Sequence, residues 1–359
     1  MEKLEQIQKN PEVLSPEQLH TIARAYDLPP LHFLHSPEAG IITDNAILEA
    51  EDGTRYFAKL YDSVDEEKHT SIYRAAELLA ANPLIPVSLP FLSKDGTYTV
   101  DVAGRPLALF SYVPHRAEPP QTEAEEAALA SSMAVNLGRM HAVEVPKDDP
   151  LLRPIGRWQE EARTTRTSML ERVIKHIHTL EKRDQFDELA LESATTKLSL
   201  IQSLPEPDWD ALDLNICHAD YHGHNVLYDE DMNVVAIFDW DNAGLADKYM
   251  DFVNTFAMTV IGHRFDSYQE DRFEIARAVC EQYQEGLGQQ IDMSHLRTAY
   301  DALMHERIGT SWPVFQHYFS GHTRNDNRVE PVLRKAKFHA ENYEEMWDFI
   351  ERAATERHD

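Results

Sequence analysis

The sequence predicts an α+β fold with two lobes, a small N-terminal lobe built on an antiparallel sheet with one helix and a larger helical C-terminal lobe. Strand patterns dominate before residue 114, and helical periodicity dominates after residue 124. The segment between them, 114–124, is rich in proline and polar residues, as expected of a hinge. The 359 residues suffice for two lobes with a sizeable core. We therefore divide the chain into residues 1–113 and 114–359.

Two hairpins and one helix account for the predicted N-terminal lobe. Strand-like residues 45–50 and 55–61 flank Asp52-Gly53, a dipeptide that favours a tight turn. Asp95-Gly96 separates two further strand-like runs within 88–102 and predicts a second hairpin, and an apolar run at 107–113 predicts one more strand. Between the hairpins we expect a helix over 64–82, with Ser63 and Glu66 forming a capping box.

The predicted C-terminal lobe consists of helices interrupted once by short strands. A long amphipathic pattern covers 122–142, and 157–203 fits two helices with a break near 181–185. Short strands are expected within 208–242. The remaining helical patterns cover 250–262, 267–288, 293–306 and 330–355.

Composition excludes several classes of function. The chain has 62 acidic and 34 basic residues and a formal net charge of −28, which opposes binding to nucleic acid or to an anionic membrane surface. Two cysteines provide neither a disulfide framework nor a zinc motif. No apolar run reaches the length of a membrane span, and the first residues lack the apolar core of a signal peptide. These features predict a cytoplasmic protein with reduced thiols.

The densest polar signal lies at residues 216–244. Two short apolar strands joined by a turn-rich loop predict a hairpin that brings Asn225 beside Asp239, with Asp220 on the entering loop and Asp241 just beyond. An amide oxygen and carboxylates are the hard ligands that Mg²⁺ prefers when it holds a phosphate. A carboxylate left off the metal could accept a proton from a hydroxyl nucleophile.

The motif His218-x-Asp220, followed by Asn225 and then Asp239, resembles the catalytic and metal loops of the aminoglycoside phosphotransferase/choline kinase family. The resemblance extends over about residues 30–350. It includes Lys59 on the third strand, the helix that ends with residues 137–141, and Asp251 as a structural aspartate. It implies a protein-kinase-like fold, and within the family the length and C-terminal helices look closest to homoserine-kinase-type or stress-response kinase members.

The resemblance implies a role for each matching residue. Asp220 would be the catalytic base, with His218 bracing the catalytic loop. Asn225 and Asp239 would hold Mg²⁺; Asp241 is either a further metal ligand or the cap of the following turn. The implied nucleotide-binding residues are Lys59 at the phosphates, Glu67 as its helix partner, the backbone of Ser111, Tyr112 and Val113 at the adenine, and Gly40 in the phosphate-covering loop.

The implied activity moves the γ-phosphoryl group of ATP, with GTP as an alternative donor, to a hydroxyl group of a small molecule. Carboxylates in the regions assigned to acceptor binding indicate a cationic or amino-bearing acceptor, such as homoserine, choline or an aminoglycoside. Three alternatives stay open: a protein Ser/Thr kinase of the stress-response type, a nucleotide-binding pseudokinase, and a metal-dependent hydrolase built on the string of His218, His222 and His224. The sequence does not determine the oligomeric state.

Overall fold

The computed structural model describes residues 14–37, 44–62, 65–146, 148–261 and 272–356. It confirms the predicted α+β fold, in which an antiparallel five-stranded sheet precedes a helical region. The sheet has the order β1-β2-β3-β5-β4. Its strands and the two helices of this part of the chain are α1 (Pro16–Tyr26), β1 (Leu31–His35), β2 (Asp44–Ala50), β3 (Arg55–Leu60), α2 (Glu66–Ala80), β4 (Val100–Val102) and β5 (Arg105–Ser111).

The first predicted hairpin is confirmed. Strands β2 and β3 pair in register from Asp44 opposite Leu60 to Glu49 opposite Arg55. Gly53 takes the positive φ that this turn requires, 83°. The pairing places Lys59 next to the centre of the sheet, because β5 lies on the other side of β3.

The second predicted hairpin is wrong. The turn at Asp95-Gly96 forms, but only 100–102 of the flanking residues reach strand geometry, and they pair with β5. Pro86 and Pro90 lack the N–H that a regular ladder needs. The chain between these prolines turns instead to the helical region, where Ser88 N donates to Ile237 O at 2.9 Å.

Helix α2 begins two residues later than the predicted 64. Its N-cap is Asp65, whose side chain accepts from Lys68 N at 3.1 Å, so the predicted capping box of Ser63 and Glu66 is replaced. Ser63 lies outside the described residues. The apolar face of α2, with Ile72 and Leu79, belongs to the hydrophobic cluster of the helical region rather than to the core of the sheet.

The helical region follows the predicted order, except for one additional helix at 312–320 that the sequence did not predict. Its elements are α3 (Glu123–His141), α4 (Glu160–His178), α5 (Gln185–Ser203), β6 (Asn215–Cys217), β7 (Val226–Tyr228), β8 (Val234–Ile237), β9 (Gly244–Ala246), α6 (Lys248–Phe256), α7 (Phe273–Leu287), α8 (Met293–Gly309), α9 (Trp312–Ser320), α10 (Val329–Glu341) and α11 (Tyr343–Thr355). The single helix expected over 330–355 is two helices, because the chain leaves helical geometry at Asn342. None of the helices in the described ranges is long and apolar enough to cross a membrane.

Strands β6 to β9 position the segment that carries the polar motif. Strands β7 and β8 form the predicted hairpin, with Val226 opposite Ile237. Strand β6 pairs with β9, so Cys217 lies opposite Gly244. Each of the loops at 218–225 and 238–243 runs between these two small sheets, and the two loops are in contact where His218 Nε2 lies 3.0 Å from Phe238 O.

Candidate active site

A buried aspartate holds the first of these loops. Asp251, on α6, is fully buried and accepts hydrogen bonds from His218 N at 2.8 Å and Ala219 N at 3.0 Å. Ala219 has a φ of 63°, a left-handed conformation that a residue with a side chain rarely adopts. Paired amide donors on one carboxylate stabilise this strained turn, and the turn directs the next residue, Asp220, away from the core.

His218 braces the two loops against each other. Its ring is buried, lies 4.6 Å from the ring of Trp240, and places Nε2 3.0 Å from Phe238 O. The contact requires a proton on Nε2, since the carbonyl only accepts. Burial lowers the pKa of His218, so the ring is neutral near pH 7 and contacts the second loop through Phe238 and Trp240.

Asp220 presents a partly exposed carboxylate beside the loops, with 35% of its side chain accessible. Its Oδ1 lies 3.6 Å from His222 Nε2, and its Oδ2 accepts from Asn225 Nδ2 at 3.4 Å. Burial raises its pKa, but the hydrogen bond and charge of His222 outweigh burial, and the net pKa lies below 3.8. The carboxylate is thus ionised at neutral pH and able to accept a proton.

Asn225 connects the catalytic loop to the hairpin. Its Nδ2 donates to Asp220 O at 2.8 Å, and its backbone carbonyl accepts from Phe238 N at 3.1 Å. Among the residues that the structure describes, no hydrogen bond engages its Oδ1, which leaves that oxygen as a ligand atom. Asp239 directly follows Phe238, so its backbone lies next to Asn225 across the end of the hairpin.

Lys59 reaches from the sheet to the second loop. Its ammonium lies 2.8 Å from Asp239 Oδ1 and 2.9 Å from Asp241 Oδ2, and its side chain is only 10% exposed. Burial lowers its pKa, but the charges of Asp241 and Asp239 outweigh burial and raise the net pKa above 10.5. Asp239 adopts a left-handed φ of 61°, which turns the loop at this point. One cation from β3 thus meets two carboxylates from a loop about 180 residues away.

The side-chain oxygens of the two loops fit a magnesium ion. The amide oxygen of Asn225 and the carboxylates of Asp239 and Asp241 are hard oxygen ligands, which Mg²⁺ prefers. Both carboxylates already bind one cation, the Lys59 ammonium, so their negative charges converge on a position that a cation occupies. The Asp241 carboxylate pairs with Lys59 instead of capping the following turn.

The prediction that Glu67 is the partner of Lys59 is wrong. The side chain of Glu67 is 86% exposed and lies 4.0 Å from Arg153, because it occupies the outer face of the first turn of α2. His69 lies on the face of α2 that turns toward the sheet, and its ring is 4.9 Å from the ring of Tyr61. The Lys59 ammonium lies over the same Tyr61 ring, 5.1 Å from its centroid. No local pattern in the sequence favours His69, since helix rotation depends on packing.

The predicted adenine-contact segment is located at the end of β5. Tyr112 N donates to Arg55 O at 3.2 Å, so this amide serves the sheet, and Val113 O lies 2.8 Å from His115 Nδ1. Ser111 pairs opposite Tyr56. The predicted contact of 111–113 with adenine stays a prediction, to which the Tyr112 amide does not contribute. Gly40 lies outside the described residues.

Sequence reasoning missed the polar side chains that surround Ala219. Arg157 and Asn254 both donate to Ala219 O, at 2.7 and 3.3 Å, and Arg307 donates to Asn254 Oδ1. Arg157 also donates to Asn242 Oδ1 at 3.2 Å. These residues come from separated parts of the chain and form no local motif. The side of the catalytic loop that faces the helices is therefore rich in arginine.

The histidine string does not converge on a metal. His222 accepts from His224 N through Nδ1, and the rings of the two residues are 5.7 Å apart, while His218 points to Phe238. In the described ranges, the group with metal-ligand spacing is His141, Cys217 and Asp251, which lies behind the loop. There His141 contacts Tyr283 OH at 2.9 Å and Asp251 at 3.4 Å, which is a bracing arrangement.

Comparison with known proteins places this geometry in context. The profile of a family described as the phosphotransferase enzyme family matches residues 34–289, more than two thirds of the chain. A search of curated proteins gives no significant match.

Solved structures match almost the whole chain at low identity. An aminoglycoside phosphotransferase from Alicyclobacillus acidocaldarius is 15% identical, with a TM-score of 0.57 and 95% of each chain covered. A spectinomycin phosphotransferase in complex with ADP and spectinomycin is 17% identical, with a TM-score of 0.57 and 94% of this chain and 97% of that chain covered. An amicoumacin kinase in complex with AMP-PNP and Ca²⁺ is 19% identical, with a TM-score of 0.56 and 92% of each chain covered. At these identities the likeness establishes the fold.

Proposed function

This chain belongs to the phosphotransferase enzyme family, and from that premise we propose that it transfers the γ-phosphoryl group of ATP to a hydroxyl group of a small molecule. The observation that carries the proposal is the meeting of Lys59 with Asp239 and Asp241, beside the loop that presents Asp220. Structural neighbours hold ADP with spectinomycin and ATP with streptomycin, which supports a nucleotide donor and a small hydroxylated acceptor. We propose ATP as the phosphoryl donor. We also propose that residues 1–113 and residues 114–359 form the two lobes between which the nucleotide binds.

Each residue would contribute positioning or charge. The ionised Asp220 would accept a hydrogen bond from the acceptor hydroxyl and take its proton as the phosphoryl group departs from ADP. Asn225 and Asp239, with Asp241, would hold Mg²⁺, which supplies neutralisation of the phosphate charge when bound. Lys59 would exchange its carboxylate partners for phosphate oxygens. His218 and Asp251 would hold the loop in shape.

The test is phosphoryl transfer by the wild-type chain and by Asp220→Asn. Purified protein with Mg·ATP is incubated with a panel of amino alcohols, hydroxylated amino acids, sugars and hydroxylated antibiotics, and product mass and ATP consumption are measured. We expect Asp220→Asn to lower kcat by about 10²- to 10⁴-fold, since a general base contributes about this much, while ATP affinity stays nearly the same. Asp231→Asn removes an exposed carboxylate from the turn of the adjacent hairpin and is the matched control.

The outcomes separate the alternatives. Binding of Mg·ATP without consumption of ATP by any acceptor or by water would overturn the proposal in favour of a nucleotide-binding module. Phosphorylation of proteins in an extract, with no small molecule modified, would favour the protein kinase. Stoichiometric zinc in the purified protein, together with activity that survives Asp220→Asn, would favour the hydrolase.

A further inference from the structure

One arginine side chain joins the two loops of the candidate site. Arg157 Nη2 donates to Ala219 O at 2.7 Å, next to Asp220 in the catalytic loop. Arg157 Nη1 donates to Asn242 Oδ1 at 3.2 Å, in the loop that carries Asp239. The planar guanidinium presents its N–H groups in a fixed fork, so the distance between the two acceptors is restrained by one rigid group. A residue outside both loops therefore restrains where they lie relative to each other.

The backbone that carries Arg157 is itself hydrogen-bonded to strand β9. Ile155 N donates to Leu245 O at 2.8 Å, and Leu245 N donates to Arg153 O at 2.8 Å. From the other side, Arg166 on α4 donates to the carbonyl of Arg157. The guanidinium therefore extends from backbone that neighbouring elements hold in place, although the side chain itself is exposed.

Both polar backbone groups of Ala219 are held by side chains. Its N–H donates to Asp251 at 3.0 Å, and its carbonyl accepts from Arg157 at 2.7 Å and from Asn254 Nδ2 at 3.3 Å. The left-handed φ of 63° is unfavourable for alanine, so the surrounding hydrogen bonds must stabilise it. Asp251 and Asn254 both lie on α6, whereas Arg157 lies outside this helix. Arg157 thus provides the shorter of the two bonds that fix the peptide group leading into Asp220.

The second bond of Arg157 orients an amide beside the proposed base. Asn242 Nδ2 donates to Asp220 Oδ2 at 3.5 Å, a long hydrogen bond. Since a guanidinium only donates, it selects the oxygen of the Asn242 amide and leaves the N–H₂ group to face the carboxylate. The reverse orientation would place the amide oxygen against the ionised carboxylate and the N–H₂ group against the guanidinium, and both contacts are repulsive. Arg157 therefore directs a hydrogen-bond donor at Asp220 through Asn242.

Resting on the proposed function, we propose that Arg157 is a positioning residue for phosphoryl transfer, which holds the Asp220 carboxylate in place through Ala219 and Asn242. Because the Arg157 side chain is exposed, water replaces its hydrogen bonds when it is removed, and the loss of stability is small. A displacement of about 1 Å between reacting groups, by contrast, lowers a rate by about 100-fold. Loss of Arg157 should therefore affect kcat far more than it affects folding.

Turnover of Mg·ATP tests the proposal, with water as the phosphoryl acceptor and with any acceptor that the panel identifies. We expect Arg157→Gln to lower kcat by about 10- to 100-fold and to leave the affinity for Mg²⁺ with a non-hydrolysable ATP analogue nearly unchanged. Arg157→Lys keeps the charge but not the planar fork, so it should restore only part of kcat. Arg153→Gln removes an exposed guanidinium from the same segment and should keep the wild-type kcat. Melting temperatures identify any variant that fails to fold.

A double-mutant cycle determines whether Arg157 acts through Asp220. In the Asp220→Asn background, Arg157→Gln should lower kcat by less than about threefold, because residues that act as a unit have non-additive effects. Asn242→Ala should reproduce part of the loss and add little to Arg157→Gln. It also keeps the test valid if Arg157→Gln unfolds. Equal losses from Arg157→Gln in both backgrounds would show a structural role and overturn the inference.

An NMR signal tests the same contacts where the residual rate is too low to measure. The side-chain N–H₂ groups of Asn225 and Asn242 both face Asp220 Oδ2, at 3.4 and 3.5 Å. In protein with isotope-labelled asparagine, Arg157→Gln should shift both signals, and Arg153→Gln should shift neither. An Asn225 signal that is unchanged in Arg157→Gln would mean that the arginine does not hold the base, and the inference would be wrong.

Failure of this inference differs from failure of the proposed function. If Asp220→Asn abolishes turnover while Arg157→Gln keeps the wild-type kcat, the inference is overturned and the function is supported. If no ATP is consumed, or if turnover does not depend on Asp220, the function is overturned, and the inference that rests on it is overturned as well.

Discussion

At the scale of the residue, aspartates anchor the loops by accepting several hydrogen bonds at once. Asp247 caps α6 through Tyr249 N at 2.8 Å, accepts from Asp213 N at 2.9 Å, and lies 2.5 Å from His295 Nε2. Asp251 does the same for the catalytic loop. Buried carboxylates need such partners, because desolvation otherwise outweighs their contribution to folding. The geometry of the site therefore depends on residues that touch no substrate.

The pair of Asp247 and His295 predicts a pH-dependent stability. The hydrogen bond that His295 donates to Asp247 raises the pKa of His295, burial opposes this, and the net pKa lies above 6.5. A raised pKa in the folded state means that the pair stabilises fully below the unfolded-state pKa and loses its effect as pH rises through the folded-state pKa. We expect His295→Gln to lower the melting temperature more at about pH 6 than at about pH 9, because glutamine takes up no charge.

Thermal unfolding of both proteins across this pH range measures the difference. His322→Gln, which removes an exposed histidine, controls for loss of an imidazole at the surface. A difference that grows with rising pH would contradict the assignment of His295 as the protonated partner.

At the scale of the element, the contact between α3 and α7 depends on two glycines. A β-carbon at Gly138 would lie 2.2 Å from Tyr283 O, and one at Gly286 would lie 2.1 Å from Val135 O. The two helix backbones are thus in direct contact, which brings His141 at the end of α3 to Tyr283 and Asp251. The close packing of α3 on α7 therefore affects the loop at 218–225 through the contact of His141 with Asp251.

Gly138→Ala should destabilise the protein although alanine is the better helix former. Helix propensity favours alanine by about 1 kcal/mol, but overpacking costs typically about 1–3 kcal/mol and more where backbone is the obstacle. We expect a net loss of at least about 1 kcal/mol in the free energy of unfolding, measured by urea denaturation. At Gly156 a β-carbon meets no atom within 4 Å, so Gly156→Ala is the control. An increase in stability with Gly138→Ala would show that the helices separate easily.

At the scale of the whole molecule, the net charge of −28 opposes the approach of a polyanionic nucleotide. At the site the Lys59 ammonium opposes this field locally, where it pairs with two carboxylates. Salt screens the diffuse field more than it screens close, partly buried pairs. The nucleotide therefore meets a barrier at long range and attraction at short range.

Ionic strength separates these two effects. Between about 20 and 200 mM salt the Debye length falls from roughly 20 Å to roughly 7 Å, so long-range repulsion weakens. We expect the association rate constant of Mg·ATP, followed by stopped-flow fluorescence, to rise roughly 2- to 10-fold over this range. Adenosine, which has no phosphate, is the control and should show little change. A rate that falls with salt would mean that the local cations govern approach.

The sequence did not predict α1, β1 or α9, but it predicted the order of most other elements and the hairpin that joins Asp220, Asn225 and Asp239. These features depend on periodicity and turn chemistry over a few residues, which one chain segment contains entirely. The prolines at 86 and 90 show the limit, because a good turn at 95–96 did not suffice to pair its flanks.

Contacts between distant side chains depend on how the elements pack, which the sequence did not predict. Lys59 meets carboxylates about 180 residues away, and Glu67 turns to solvent while His69 faces the sheet. Helix rotation and the packing of one element on another set these contacts, and neither leaves a signal in local sequence. The residues proposed for transfer were therefore readable from one short segment, whereas the contacts that Lys59 and Arg157 make with that segment arise only where separate elements converge.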